Sequence, residues 1–299
     1  MARPVLTLIA AWLAISGSAH AAEPDVNNGK YLYFAGGCGS CHAAPASGKC
    51  DDPATADALK PVGGRCLKTD VGTFNVPNIT PDAKTGVGSW SEADFIRAMT
   101  EGTAPDGSNL YPAFPYASYQ RMKPEDIRDL WAFLKTLAPV ESSIAEHDLS
   151  FPYRIRAGVS VWKGFYLDGK VFEPDPSKSD KVNRGAYLVT GPGHCGECHT
   201  PRDRLGGRIE AKALSGAPDA EGKGFTPNIT PDKTGIASWS ETDIVTALET
   251  GFTPSGDVMG GSMAAVQKNM AQLTPADREA IAAYLKSVPA VANERPKKN

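Results

Sequence analysis

Two five-residue segments constrain this chain more than any other feature: Cys38-Gly39-Ser40-Cys41-His42 and Cys195-Gly196-Glu197-Cys198-His199. Each reads Cys-x-x-Cys-His. Thiols three positions apart on a short helical turn can each form a thioether to one vinyl group of a haem, and the adjacent His is then delivered to the iron as its proximal ligand. A closed zinc site wants four ligands, whereas each segment offers three crowded together. A thioredoxin-type dithiol belongs in a βαβ context, which the chain lacks. The segments therefore predict two covalently bound haem c groups. Cys38, Cys41, Cys195 and Cys198 are the attachment points, and His42 and His199 the metal ligands. Only 8% of residues are aromatic, so the cores need something other than side chains to fill them.

The chain also repeats itself. Asn78-Ile79-Thr80-Pro81-Asp82 matches Asn228-Ile229-Thr230-Pro231-Asp232, and Trp90-Ser91-Glu92 matches Trp239-Ser240-Glu241. Gly102 and Gly107 match Gly251 and Gly256 at an offset of 149. A repeat this long is a duplicated domain, not a solenoid unit. Within each half the pattern is helical. Asn28 to Phe34 and Asn183 to Val189 read as short helices closed by glycines. Ser91 with Asp94, and Ser240 with Asp243, open capped helices that Gly102 and Gly251 end. Leu130, Phe133, Leu134 and Leu137, like Ile281, Tyr284, Leu285 and Val288, share one face of a closing helix. No alternating strand pattern stands out, and the expected fold class is all-α.

Residues 1–21 read as a cleavable signal peptide, with Arg3, an apolar run from Val5 to Ile15 and a small-x-small site at Ala19-His20-Ala21. The run is too short to cross a bilayer, and no later stretch is longer, so no transmembrane anchor is expected in the mature chain. The expected organisation is a first haem domain over 22–140, a packed, aromatic-rich linker over 141–182, a second haem domain over 183–290 and a disordered tail over 291–299. A net charge of −3 without a dense basic cluster excludes nucleic acid as a partner. Cys50 and Cys66 read as a disulfide in an oxidising compartment; a regulatory redox pair and a thiolate iron ligand are the alternatives.

A haem iron held by one His has a second axial position. In the second half Gly260-Gly261-Ser262-Met263 places Met263 as that ligand, with Met259 and Met270 as packing residues. The offset of 149 carries Met263 onto Phe114, which cannot bind iron. Met99 and Met122 correspond to Leu248 and Leu273 and read as core residues. Tyr111, Tyr116, His147 and His194 are further candidates that no spacing supports. The first iron is then five-coordinate or capped from an unexpected place.

These motifs, together with Leu110-Tyr111-Pro112-Ala113-Phe114-Pro115-Tyr116 and Asn183-Arg184-Gly185-Ala186-Tyr187-Leu188, resemble the multihaem cytochrome c subunits of periplasmic alcohol, aldehyde and sugar-acid dehydrogenases. The resemblance implies two tandem class I cytochrome c domains, a periplasmic location, a dehydrogenase partner and a downstream electron acceptor. Many such subunits carry a third haem domain, and this chain is expected to have two. The usual loop has Met where Phe114 stands here. Asn78, Trp90, Asn228, Trp239 and Arg202 match the motifs and either line the haem pockets or pack loops. The leading expectation is a dihaem electron carrier rather than an enzyme. The alternative is a haem enzyme or ligand sensor with an open axial position beside Phe114.

Overall fold

The computed structural model describes residues 23–54, 57–219 and 224–295; the expected signal peptide lies outside them. In the first half, α1 (Val26–Ala35) leads into α2 (Cys38–His42), then the strands β1 (Cys66–Thr69) and β2 (Gly72–Asn75) and the helices α3 (Glu92–Glu101), α4 (Tyr116–Tyr119) and α5 (Pro124–Leu134). A connecting stretch carries β3 (Asp148–Leu149) and α6 (Ala157–Tyr166). The second half repeats the plan with α7 (Asp180–Thr190), α8 (Gly196–His199), β4 (Ala217–Pro218), β5 (Phe225–Thr226), α9 (Glu241–Thr250), α10 (Ser262–Met270) and α11 (Pro275–Ser287).

Local chemistry sets these boundaries. Ser91 and Ser240 close reciprocal capping boxes with Asp94 and Asp243, and Gly102 and Gly251 end the same helices with φ of 60° and 83°. Thr274 caps α11 ahead of Pro275 at its first turn. In each half the first helix crosses the last, α1 on α5 and α7 on α11. The crossing is close enough that a Cβ on Gly29 would sit 1.9 Å from the Asp129 carbonyl oxygen, and one on Gly185 equally close to that of Ala280. Each half buries its own core. Leu32, Phe95, Met99, Met122 and Leu134 belong to one cluster, and Leu188, Ile244, Leu248, Leu273 and Leu285 to the other.

The all-α expectation needs correction. Strands β1, β2 and β3 form an antiparallel sheet with Cys66 opposite Asn75, and β4 pairs with β5. These strands are two to four residues long, too short for an alternating pattern to emerge from sequence. Cys50 and Cys66 are disulfide-bonded at a separation of 16 residues, which staples the start of β1 and contributes about 3 kcal/mol on loop-entropy arithmetic. Of the tail expected over 291–299, residues 296–299 lie outside the described residues, and the first part is hydrogen-bonded to the second domain. The Val291 carbonyl accepts from Asn228 and Thr230, and Asn293 donates to the Ser215 and Gly216 carbonyls. These bonds add to those that Asn228 and Thr230 make to Thr234 and to each other.

The halves dock with reciprocal contacts. Tyr31 of α1 donates to Asp277 of α11, and Tyr187 of α7 donates to Asp126 of α5. Helix α6 lies across both halves. Lys163 Nζ donates to the Gly102 carbonyl and Asn109 Oδ1, each at 2.7 Å, while Tyr166 donates to Asp203 at 2.7 Å.

Asp277 also receives two bonds from Arg184, both 2.8 Å. Burial would raise its carboxyl pKa, but the Arg184 and Tyr31 bonds outweigh burial and hold it below the ordinary value. A depressed folded-state pKa contributes stability above the unfolded value that is lost as pH falls through the folded one. Asp277→Asn is therefore expected to destabilise the protein by about 1–3 kcal/mol at neutral pH. The gap from wild type should shrink as pH drops below the ordinary carboxylate range. Urea denaturation across pH checks both the size and the sign.

Candidate haem sites

Both attachment segments begin from a left-handed residue. Gly37 has φ of 60°, and His194, in the corresponding place, has φ of 37°. A non-glycine residue in this region is strained. His194 is held there by its Nε2 contact with the Gly36 carbonyl at 3.1 Å and by edge-on packing against Tyr119 at 5.6 Å. The turn that follows presents Cys38, Cys41 and His42 in the first half, and Cys195, Cys198 and His199 in the second.

The histidines are prepared as ligands. His42 Nδ1 donates to the Pro77 carbonyl and His199 Nδ1 to the Pro227 carbonyl, each at 2.8 Å. A carbonyl only accepts, so the proton is fixed on Nδ1 and the Nε2 lone pair is left for iron. Burial lowers both imidazole pKa values against the opposing effect of these bonds, which favours the neutral ligand form. Burial pushes the thiols of Cys38 and Cys195 up to about 12 and, with Glu197 adding to it, that of Cys198 up to about 11. Each turn offers two thiols and one histidine, the set that thioether attachment and axial ligation of a haem use. The donor set therefore fits two haem c groups.

Pro77 and Pro227 were not singled out from sequence, although both stand immediately before the repeated Asn-Ile-Thr-Pro-Asp motif. The motif holds them in place. Asn78 donates to Thr85 Oγ1 and the Val140 carbonyl and accepts from the Thr80 amide. Asn228 makes the matching bonds to Thr234, Val291 and Thr230. Both asparagines are buried, and their polar atoms are engaged in fixing the loop that carries the histidine's acceptor. Trp90 and Trp239 pack at the edges of the two cores. Arg202 donates to the Gly206 carbonyl and to Glu197.

Phe114 packs against the first core and Met263 against the second. The ring neighbours of Phe114 are Tyr116 and Tyr119. The repeat shifts register here. Leu110 and Met259 donate to Gly102 and Gly251 at the offset of 149, but Met122 and Leu273 make matching bonds at 151. Helix α10 starts earlier and is longer than α4, so Met263 lies on a helix whereas Phe114 precedes one. Met99 and Met122 are buried in the first core. His147 lies apart, accepting from the Asn75 amide and packed against Phe74 and Tyr111.

The attachment segments meet at the interface between the halves. Ser118 of α4 donates to Glu197 at 2.6 Å, and Asn269 of α10 donates to Ser40 at 2.7 Å. The third residue of each motif thus touches α4 or α10 of the other half, the helix after Phe114 and the helix that carries Met263, which we term the distal helices.

Comparison with known proteins agrees with this arrangement. The chain is 47% identical over 268 residues to "Diheme cytochrome c-type" of Cereibacter sphaeroides, covering 89% of this chain and 87% of that one. It is 37% identical to the fructose dehydrogenase cytochrome subunit of Gluconobacter japonicus, covering 92% of this chain and 54% of that subunit. It is 36% identical to the gluconate 2-dehydrogenase cytochrome c subunit of Pantoea cypripedii, covering 96% of this chain and 65% of that subunit. The chain thus spans nearly all of the first relative and about half to two thirds of these dehydrogenase subunits. Among the described residues no helix is long and apolar enough to cross a membrane. The cytochrome c family profile matches residues 26–138 and again 182–289, and the chain belongs to the cytochrome c family as two such domains in tandem, each implying a covalently bound haem c.

Proposed function

We propose that this chain is a periplasmic dihaem electron carrier that accepts electrons from a dehydrogenase partner and passes them towards the respiratory chain. The observation that carries the reading is the packing of both attachment segments into one interface, each bonded to the other domain's distal helix. Cytochrome subunits of dehydrogenases among the relatives support it, and the disulfide is in keeping with an oxidising compartment.

In this reading Cys38, Cys41, Cys195 and Cys198 hold the two groups, and His42 and His199 are their proximal ligands. Met263 would supply a thioether ligand in the second domain, which would make it the higher-potential site. Haem iron so held supplies a one-electron ferric–ferrous couple. The protein's own work is orientation and packing. The Pro77 and Pro227 carbonyls fix the imidazole tautomers, the Asn78 and Asn228 loops fix those carbonyls, and Phe114 packs its ring beside Tyr116 and Tyr119 in the first domain. No side chain is assigned an acid–base role.

Carbon monoxide titration of the fully reduced, dihaem-loaded protein tests the reading. A carrier with both sites closed is expected to show no rapid uptake. Rapid binding of one equivalent per chain would overturn the closed-site reading in favour of a ligand-binding position beside Phe114.

A further inference from the structure

The two attachment motifs differ at their third residue, Ser40 in one and Glu197 in the other. That difference places a carboxylate at the seam between the domains, with its side chain only 9% exposed. Its oxygens are fully engaged. Oε1 accepts from Ser118 Oγ at 2.6 Å and from Arg208 Nη1 at 2.9 Å, and Oε2 accepts from Arg202 Nη2 at 2.7 Å. Arg208 Nη1 also reaches Ser118 Oγ at 2.7 Å, which closes a ring of contacts across the interface. Ser118 is fully buried and belongs to α4, next to Tyr119. The corresponding contact on the other side, Asn269 to Ser40, is a single neutral bond. The interface is therefore symmetric in layout, with an ion-paired carboxylate on one side and a neutral pair on the other.

We propose, on the basis of the electron-carrier reading, that Glu197 is the positioning residue of the relay. It locks the second attachment turn onto α4 of the first domain and balances the guanidinium charges of Arg202 and Arg208 beside that turn. Its charge is weakly screened where it is buried and, relative to a neutral side chain, favours the ferric over the ferrous state. The second site feels it more, because Glu197 shares a single helical turn with Cys198 and His199. Ser118 supplies the other half of the lock.

Spectroelectrochemical titration of the purified dihaem protein tests this without any partner. Glu197→Gln keeps the side-chain shape and is expected to raise both midpoint potentials, the second haem's by more. Glu210→Gln removes an exposed carboxylate from the same Arg208 and is expected to leave both midpoints near wild type. Unchanged midpoints in Glu197→Gln, an equal or smaller shift at the second haem, or an equal shift in Glu210→Gln would overturn the proposal. Ser118→Ala retains the charge and removes the interdomain bond. It is expected to lower the temperature of thermal unfolding, followed at the haem absorbance, because one of the bonds that join the domains is lost. An unchanged unfolding temperature would overturn the lock. Failure of the carrier reading would instead appear as carbon monoxide uptake, which these measurements do not depend on.

Discussion

Met263→Ala is expected to abolish the near-infrared thioether-to-iron charge-transfer band of the oxidised dihaem protein and to lower the second haem's midpoint. Met263 packs against the second domain's core near the start of α10. The glycines leading to it, Gly260 and Gly261, have nothing within 4 Å of where a Cβ would stand. A thioether is a soft, uncharged ligand that favours ferrous iron and raises the potential. Its loss should shift the midpoint by about 0.1 V or more, within the roughly 0.8 V range that axial ligands command. Met270→Ala provides the contrast. Met270 is buried in the same core, so its truncation should cost about 2–5 kcal/mol of stability while leaving the band in place. A band that survives Met263→Ala and disappears with Met270→Ala would reverse the assignment.

Gly185→Ala is expected to destabilise the second domain by about 3 kcal/mol or more, at or beyond the usual range for overpacking. The new methyl group would lie 1.9 Å from the Ala280 carbonyl oxygen, 2.5 Å from its carbon and 2.8 Å from Tyr284 Cβ. Two of these atoms are backbone, so relief requires α7 and α11 to separate along their crossing. Gly29→Ala should act alike in the first domain, where the opposing atoms belong to Asp129 and Phe133. Gly158 and Gly164 on α6 face open space, and alanine there should be neutral or stabilising by up to about 1 kcal/mol. Denaturant melts of the four holo-variants check the contrast, and equal stability of Gly185→Ala and Gly164→Ala would contradict the crossing geometry.

The attachment residues were legible because their chemistry is local. Thioether formation at two cysteines and delivery of the next histidine need only a fixed spacing on one turn. The capped helices beginning at Ser91 and Ser240 were legible for the same reason, since a capping box spans four residues. The short strands were not, because β1 to β5 owe their pairing to neighbours and not to a pattern of their own. Pro77 and Pro227 also escaped notice, since a carbonyl that orients a histidine leaves no mark in its own side chain.

The sequence by itself determined that there are two attachment sites in a duplicated helical chain, and that Phe114 stands where a ligand would otherwise be expected. Only the tertiary structure decided which bonds α6 makes to each domain, from Lys163 to the first and from Tyr166 to the second. It also decided that Glu197 and Ser40 face the opposite domain's distal helices. The contacts of Glu197 and Ser40 join groups 79 and 229 residues apart, distances over which local spacing carries no information and only packing and hydrogen-bond satisfaction select partners.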